Sequence, residues 1–381
     1  MSSKRRVGAL RTLFLVLSVT GGALLSSAAA QALVPAGALV RVLLSRSHEV
    51  VVTAAGPHRG SVDGMPRFTT PAELSWPVTA RSGLLLVDGR EVGRRLLIEM
   101  EEGTLSVAGR SYRGGISLIA DGDEVEVINV LDIEAYLRGV VPSEMSATWP
   151  LEALKAQAVA ARSYTMTSLD PMADYDLCAT VDCQVYRGVE AEHPRTNQAV
   201  AETAGIVVSY AGLTARTYYH ADSGGTVASS SEVWGTPRPY LLAITDVAAS
   251  SPHRGWQTRL DGAAVGRYLS QAGINTGTVT GLRVVRLSES GRVLEMEVTG
   301  QRASVILRGS LLREQARGWG LKSMRFRVQG GLTVSGDGWG HGVGMSQYGA
   351  RALALSGYDY GRILAFYYPN TGLTRFVANT P

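Results

Sequence analysis

One stretch near the middle of the chain, residues 131–169, places a carboxyl group and two cations where they could act together. Glu144 lies in a Pro-Ser-Glu-Met sequence that is predicted to turn, and a helix is predicted to begin directly afterwards at Pro150. Lys155 and Arg162 are two helical turns apart, so they share one face of that helix. The pattern fits an acid/base site, and it fits equally well a capped surface helix whose charges are solvated.

The excess of positive charge in this chain is confined to its N-terminus. The 381 residues carry a formal net charge of +4 at pH 7. The first 32 residues contain Lys4, Arg5, Arg6 and Arg11 and no acidic residue, and the remainder has 33 basic and 33 acidic residues. Because the body is formally neutral, nucleic acid is not predicted as a partner.

Residues 1–32 are typical of an export signal. A basic start precedes an apolar run over residues 13–25 and small residues that fit a cleavage site near Ala30. An uncleaved membrane anchor is the alternative, because no charged residue occurs between Arg11 and Arg41 and this span could cross a bilayer. Both interpretations predict an exported protein of the cell envelope, whether secreted, periplasmic or membrane-anchored. Contact with the membrane is expected only through an uncleaved N-terminus.

The hydrophobic pattern predicts an α+β fold with mixed, mainly antiparallel sheets and a few helices that form a substrate groove. Over residues 40–130, short alternating runs are separated by Gly, Pro and Asp-Gly turns, which predicts a β-rich region. Further helices are predicted over residues 194–204 and 261–273. Three parts are therefore expected: residues 1–32, a β-rich region over 33–125 and a larger domain over 126–381.

A glycine-rich block begins at Gly336, and every second residue up to Gly344 is glycine. An extended chain with this pattern has one bare edge, along which another backbone or a ligand can approach closely. Trp339 and His341 would project from the opposite edge. A helix is predicted to follow over residues 345–356.

Several other side chains are weaker candidates for chemistry. His220 and His341 lie among Gly and Ser in segments that are predicted to be constrained, whereas the remaining histidines are scattered. Ser223 lacks the first glycine of a nucleophile elbow. Flat aromatic rings suit core packing by default, and beside glycine-rich backbone they also suit stacking on sugars. Three such rings lie in or near the candidate segments: Trp149 in residues 131–169, Trp234 shortly after Ser223, and Trp339 in the glycine-rich block.

The two cysteines of the chain, Cys178 and Cys183, are separated by four residues. In an exported protein an isolated close pair is most simply a local disulfide. A zinc site requires more ligands than this pair supplies.

Three blocks of sequence carry a resemblance to a known family. They span residues 134–164, 220–246 and 336–373, and the first reads EAYLRGVVPSEMSATWPLEALKAQAVAARSY. Together they resemble the SpoIID/LytB family of bacterial cell-wall proteins, so residues 126–381 are expected to form a SpoIID-like catalytic domain. The resemblance implies one of two functions. One is a lytic transglycosylase that cleaves peptidoglycan glycan strands, preferring strands stripped of stem peptides. The other is a non-catalytic enhancer of an N-acetylmuramoyl-L-alanine amidase.

In the enzyme class, the catalytic glutamate of the family corresponds to Glu144. Functional lysine and arginine positions on the following helix correspond to Lys155 and Arg162. The expected substrate-binding residues are Lys155, Arg162, Tyr164, His220, Ser223, Trp339, His341 and Gln347.

The sequence departs from the family at a zinc site that some members carry around a D-x-C-D-T-T-H-C-Q-V-Y motif. Asp182 stands where that motif has histidine, and residues 170–177 contain no upstream histidine. With two ligands missing, we expect a disulfide or free thiols at Cys178 and Cys183, and neither a metal nor another cofactor. Asp222 also stands where the family usually has Ser or Thr.

A single acid is sufficient for a lytic transglycosylase, because the C6 hydroxyl of the substrate's own N-acetylmuramic acid (MurNAc) attacks and a 1,6-anhydro sugar forms. A hydrolase normally needs a second carboxyl group. Glu144 would protonate the glycosidic oxygen, so its pKa must be raised, as burial among its apolar neighbours would do. Lys155 and Arg162 would lower that pKa if they were close. We therefore assign them to the lactyl carboxylate or N-acetyl groups of the substrate, or to a neighbouring acid.

The joint presence of Glu144, Lys155 and Arg162 favours the enzyme over the enhancer, because a binding module needs no acid at this position. A third class, a structural β-protein of the envelope, would explain residues 33–125 but not the Gly-Trp-Gly-His block. The expected partners are peptidoglycan glycan strands and an amidase or another cell-wall hydrolase.

Overall fold

The computed structural model describes residues 37–70, 73–100, 102–247 and 251–375. The export signal or anchor predicted over residues 1–32 lies outside the described residues. Within the described part of the chain, no helix is long and apolar enough to cross a bilayer. Helices and mostly antiparallel sheets occur together, which confirms the predicted α+β class.

The first part of the chain forms strands, as the alternating pattern predicts. In the strand Glu49–Ala54, for example, Val50, Val52 and Ala54 are buried while Val51 is exposed. The strands are β1 Leu39–Ser47, β2 Glu49–Ala54, β3 His58–Val62, β4 Met65–Thr70, β5 Leu74–Arg81, β6 Leu84–Val87, β7 Arg90–Gly93, β8 Arg95–Met100, β9 Leu105–Val107, β10 Arg110–Tyr112, β11 Gly115–Asp121 and β12 Glu124–Asp132.

Two sheets contain these strands and share one buried core. The order in the first is β13-β1-β12-β11-β8-β3-β4, where β13 is Leu177–Cys178, and the order in the second is β10-β9-β2-β5-β6-β7. Side chains such as Val52, Ile98 and Leu118 fill the core between them. The predicted division between residues 125 and 126 lies at the start of β12, a central strand of the first sheet.

Strand β12 leads directly into α1, Ile133–Glu144, a helix that the sequence analysis did not predict. Asp132 caps it, because its Oδ1 accepts hydrogen bonds from the backbone N–H groups of Glu134 at 2.8 Å and Ala135 at 3.4 Å. The turn predicted around Glu144 is therefore wrong: this residue ends a helix that contains Pro142. The cap and the buried face of the helix outweigh the local preference of Pro142.

The rest of the chain alternates helices with short strands. Helix α2 is Leu151–Met166, with Pro150 just before its first residue, and it is followed by a 3-10 turn over Val189–Ala191. The further helices are α3 Pro194–Glu202, α4 Ser230–Trp234, α5 Gly262–Gln271, α6 Gly309–Gly318, α7 Gln347–Leu355 and α8 Tyr360–Tyr367. The further strands are β14 Ile206–Tyr210, β15 Leu213–Thr214, β16 Tyr219–His220, β17 Thr226–Val227, β18 Ile244–Thr245, β19 Trp256–Arg259, β20 Val279–Leu287, β21 Val293–Gly300, β22 Ser304–Arg308, β23 Phe326–Gly330, β24 Thr333–Gly336, β25 Met345–Ser346 and β26 Gly372–Arg375.

Two further cores lie beyond the β-rich region. One is built around α2, α7 and α8 and includes Leu154, Leu353 and Ile363. The other joins the antiparallel sheet β20-β21-β22 to α5 and α6, and Met296 and Leu312 are among its residues. The predicted helices over residues 194–204, 261–273 and 345–356 are confirmed as α3, α5 and α7, with ends that differ by a few residues.

The glycine block after β24 is not the extended strand that its alternation predicted. Gly338 and Gly344 have φ angles of +84° and +73°, in the left-handed region, so the segment is a folded loop. A Cβ atom at Gly344 would lie 2.0 Å from the carbonyl oxygen of Tyr218, and one at Gly338 would lie 2.6 Å from that of Asp222. The prediction that these glycines admit a neighbouring backbone is confirmed. Glycine is required here because the backbone on both sides of β16 comes close and because the φ angles are left-handed.

Candidate active site

The end of α1 opens into a cavity of about 550 Å³ that contains Glu144. Its walls come from distant parts of the chain: the end of α2, the cysteine loop, β16, α4, the glycine block and the start of α7. Six of the predicted site residues line it together: Glu144, Tyr164, His220, Trp339, His341 and Gln347.

Two hydrogen bonds hold the carboxyl group of Glu144. Its Oε1 accepts from the backbone N–H of Val185 at 3.0 Å, and its Oε2 accepts from Nε2 of Gln347 at 3.3 Å. Burial raises the pKa of Glu144 above its ordinary value, and it outweighs these two hydrogen bonds and the charge of Arg187, which act in the opposite direction. A carboxyl group in this setting retains its proton to higher pH and can act as an acid.

Aromatic rings form one side of the cavity. The rings of Tyr218 and Trp234 have centroids 4.4 Å apart, and the ring of Trp234 lies 5.3 Å from that of His341. Trp339 is 49% exposed, although its ring contacts that of His253 at 4.8 Å. A large ring left open at a cavity is suited to stacking on the apolar face of a sugar.

His220 is buried and His341 is partly buried beside it, with ring centroids 5.4 Å apart. Burial lowers the pKa of both rings, that of His341 to about 4, so both are neutral at pH 7. Nδ1 of His220 lies 3.1 Å from the carbonyl oxygen of Val343, to which it donates in the neutral tautomer. These rings add hydrogen-bonding groups to the cavity without adding positive charge beside Glu144.

Lys155 and Arg162 do not line this cavity, and each pairs with a neighbouring acid, which was the predicted alternative to substrate binding. Lys155 Nζ lies 2.8 Å from Glu152 and 2.7 Å from Glu202. Arg162 is 1% exposed and donates through Nε and Nη2 to both carboxylate oxygens of Glu134, at 2.8 and 2.7 Å. The helical spacing placed both cations on one face, but that face packs against acids instead of facing the groove.

Ser223 does not line the cavity either, although it was predicted to bind substrate. It is fully buried, and its Oγ donates to Oδ2 of Asp246 at 2.5 Å. Asp246 in turn accepts from the hydroxyl of Tyr367 at 2.6 Å, so this cluster supports the wall behind the cavity. Asp222, which departs from the family pattern, accepts the backbone N–H of Gly224 at 2.8 Å and stabilises the same turn.

Arg216 is a cavity residue that the sequence analysis missed. Its guanidinium lies 4.9 Å from the ring centroid of Tyr164 and 5.7 Å from that of Tyr218. Nη1 donates to the carbonyl oxygen of Thr167 at 3.0 Å, and within the described part of the chain no carboxylate pairs with it. The alternation of Arg216, Tyr218 and His220 on an extended segment was the available signal, because side chains two residues apart share one face.

The cysteine loop closes another side of the cavity. Cys178 and Cys183 form a disulfide. The neighbouring Asp182 also lines the cavity, where its Oδ1 accepts from Nη1 of Arg317 at 2.5 Å. Over the residues that the structure describes, no group of three or more His, Cys, Asp or Glu side chains could hold a metal ion.

The site combines a partly buried acid, aromatic walls and a glycine-rich loop, and the chain that forms it can be compared with known proteins. Residues 121–210 match the SpoIID family, described as Stage II sporulation protein, and residues 253–344 match a domain of unknown function, DUF8618. The first match contains Glu144, and the second contains Trp339 and His341.

Three relatives are similar over most of the chain. An uncharacterized protein of Brachyspira hyodysenteriae (strain ATCC 49526 / WA1) is 32% identical over 72% of this chain and 74% of its own. The Amidase enhancer of Bacillus subtilis (strain 168) is 33% identical over 63% of this chain, which spans 40% of that relative. The Stage II sporulation protein D of the same strain is 28% identical over 64% of this chain and 75% of its own.

The chain belongs to the SpoIID/LytB family. This family is associated with processing of the cell wall, so a cell-wall-related function at the cell envelope follows for the chain.

Proposed function

We propose that this protein is a peptidoglycan lytic transglycosylase. It cleaves the bond between MurNAc and N-acetylglucosamine (GlcNAc) in glycan strands that have lost their stem peptides. The observation that carries this proposal is the carboxyl group of Glu144, whose pKa is raised by burial in a cavity of about 550 Å³. That volume lies within the range of about 300–1,000 Å³ that small-molecule sites occupy.

Glu144 acts first as an acid and then as a base. It donates its proton to the glycosidic oxygen as the bond from that oxygen to C1 of MurNAc breaks, and GlcNAc leaves with a free hydroxyl. The C6 hydroxyl of the same MurNAc forms the new bond to C1, and Glu144 accepts its proton. The carboxyl group returns to its starting state, and the product is 1,6-anhydro-MurNAc. Intramolecular attack gains a large effective concentration, so no second carboxyl group is needed.

The other cavity side chains position the sugar. The exposed ring of Trp339 supports stacking on a pyranose face. Arg216, which has no carboxylate partner in the described part of the chain, suits the lactyl carboxylate of MurNAc through a charge-assisted hydrogen bond. It takes the role that the sequence analysis assigned to Lys155 and Arg162.

Asp182 is a second carboxyl group in the cavity. Glycoside hydrolysis usually requires two such groups, so a hydrolase has to be considered. The side chain of Asp182 is 59% exposed and pairs with Arg317. A carboxylate that is held by a guanidinium at the rim is less available as a base for water, which favours the intramolecular reaction.

A second candidate function is enhancement of an N-acetylmuramoyl-L-alanine amidase. The similarity to the Amidase enhancer of Bacillus subtilis (strain 168) favours it. An enhancer would use the aromatic walls and Arg216 to bind glycan, and it would not require a protonated Glu144.

The products distinguish these functions. The protein is incubated alone with purified glycan strands, with and without stem peptides, and the products are analysed by mass spectrometry. We expect anhydro ends from strands without peptides. Reducing ends would instead indicate a hydrolase. The enhancer function predicts no products from the protein alone, and faster release of peptides when an amidase is added.

The three parts of the chain have separate roles in the proposed function. Residues 1–32 carry the protein across the membrane as a signal or hold it there as an anchor. Residues 33–125 form an accessory region, and residues 126–381 form the catalytic domain. The proposed partners are glycan strands and, in the enhancer function, an amidase.

A further inference from the structure

A second cavity, of about 730 Å³, lies beside the one that contains Glu144. One of its walls is α4 with the residues around it, and the opposite wall comes from β20, β21, β22 and the start of α6. Trp234 and His341 line both cavities, so they form a shared partition. The opposite wall lies within the matched domain of unknown function, and no role is assigned to it.

The charged group that stands out in this second cavity is Arg313 of α6. It is half-buried, and within the described residues its guanidinium has neither a hydrogen bond nor an ion pair with another side chain. Burial lowers its pKa, which reflects the cost of a positive charge that lacks a counter-charge.

The N-terminus of α6 adds to the same wall. No side chain caps this helix, and Gly309 and Ser310 of its first turn line the cavity. Arg313 lies four residues after Gly309, on the same face, and side chains on a helix point back towards its N-terminus. The guanidinium and the backbone N–H groups of the first turn therefore address the same space, where an anion is favoured.

Of the remaining charged residues around the second cavity, Glu289 is exposed to solvent and the others are already engaged. Arg286 and Arg308 both pair with Glu295, each at 2.9 Å. The two carboxylate oxygens of Glu232 accept the backbone N–H groups of Ser290 and Ser229 at 2.9 and 3.1 Å.

Arg292, which is 3% exposed, also lines the second cavity and is engaged as well. It donates to the carbonyl oxygens of Thr226 and Ser223. Among the cations of the second cavity, Arg313 alone has no partner within the described part of the chain.

We propose that the second cavity binds a carboxylate of the glycan whose neighbouring sugar occupies the Glu144 cavity, with Arg313 and the N-terminus of α6 as its anion site. This inference rests on the proposed function, because it takes the glycan as the ligand of the first cavity. The carboxylate can come from two sources. One is the lactyl group of another MurNAc along the strand, and the other is a stem peptide.

The test measures binding without cleavage. The Glu144→Gln protein is titrated calorimetrically with a peptide-free GlcNAc-MurNAc tetrasaccharide, with the same tetrasaccharide carrying stem peptides, and with chitotetraose, which has no carboxylate. Arg313→Gln is introduced into this background. Arg283→Gln is the matched control, because Arg283 lies on β20 in the same wall but outside the second cavity, and it pairs with Glu297.

We expect Arg313→Gln to weaken binding of a carboxylate ligand by about tenfold, which corresponds to about 1.4 kcal/mol. Chitotetraose binding and the Arg283→Gln control should be unchanged. A loss seen with the peptide-free tetrasaccharide identifies the lactyl group, and a loss confined to the peptide-bearing one identifies the stem peptide. Unchanged affinity for both, an equal loss for chitotetraose, or no binding of any of the three would overturn the proposal.

Two further measurements keep the result interpretable. Arg313→Lys keeps the charge and loses the planar guanidinium, so an intermediate loss is expected even if Arg313→Gln does not fold. Binding is measured in the Glu144→Gln background, and cleavage is measured in protein that retains Glu144. Arg313-dependent binding without anhydro products would refute the transglycosylase and retain the anion site. Anhydro products with no effect of Arg313→Gln on binding would refute the anion site and retain the transglycosylase.

Discussion

The Glu144 cavity and the face of α2 that carries Lys155 and Arg162 differ in how their charged groups are paired. In the cavity, one carboxyl group is partly buried near neutral histidines, and its pKa is raised. On α2, each cation has at least one carboxylate within 2.8 Å. The sequence predicted one site from these residues. Their separation teaches that the acid which must hold its proton is kept out of contact with Lys155 and Arg162, and that these two cations serve the fold.

The largest effect is expected for the paired region. Arg162→Met removes the buried partner of Glu134 and leaves an uncompensated carboxylate, which should lower the free energy of unfolding by about 3 kcal/mol. Chemical denaturation measures this loss. The pH dependence of cleavage should stay unchanged at temperatures where the variant is folded, and a shifted pH profile would contradict the separation of the two regions.

In the cavity, Glu144→Gln should slow formation of anhydro products by at least about 100-fold, because general acid catalysis is lost. Product analysis by mass spectrometry measures the rate, and calorimetry should detect unchanged glycan binding. Asp182→Asn is the matched control, and its rate should stay within about threefold of the unmodified protein. A loss in the control comparable to that of Glu144→Gln would indicate a two-carboxyl hydrolase.

The pH dependence sharpens the comparison further. Cleavage requires protonated Glu144, so the rate should fall as the pH rises through a pKa that lies above the ordinary 4.5. Gln347→Leu removes a donor that favours the carboxylate, so the falling limb of the rate profile should move to higher pH. A limb that moved to lower pH would refute the role of Gln347.

The same raised pKa affects stability with a defined sign. Its contribution is fully present below the pKa of Glu144 in the unfolded chain and is lost as the pH rises through the higher folded value. Glu144→Gln should therefore lose less stability than the unmodified protein between acidic and neutral pH, as measured by thermal unfolding at several pH values.

The smallest effect is expected for stacking. Trp339→Ala should raise KM about fivefold, which corresponds to about 1 kcal/mol, and leave kcat nearly unchanged. Trp149→Ala is the control, because Trp149 lies outside the cavity and packs against Tyr348 with ring centroids 4.9 Å apart. It should lower the melting temperature and leave KM unchanged. Equal effects of the two substitutions on KM would contradict a stacking role for Trp339.

Local signals were sufficient for much of the fold. Alternation predicted the strands of the β-rich region, and Asp261 predicted the start of α5, where its side chain accepts from the backbone N–H of Ala263. Helix α1 was missed because Pro142 suggested a turn, while the cap from Asp132 and the buried face of the helix acted together to extend it. Local preference and tertiary burial conflicted there, and burial prevailed.

The candidate site was only partly predictable for the same reason. Glu144, Trp339 and His341 belong to segments whose composition sets them apart, so they could be selected without coordinates. Arg216 has no such signal beyond its alternation with Tyr218. Its importance follows from the position of its guanidinium between two rings at the cavity.

By itself, the sequence determined the class of fold and the family and selected Glu144 as the candidate acid, because periodicity, capping residues and long motifs are local properties of the chain. Tertiary structure alone decided which charges meet. It paired Arg162 with Glu134, buried Ser223 against Asp246, and left Glu144 without a cation in contact. Pairing and burial depend on distances between residues far apart in the chain, and these distances set the pKa that the proposed reaction requires.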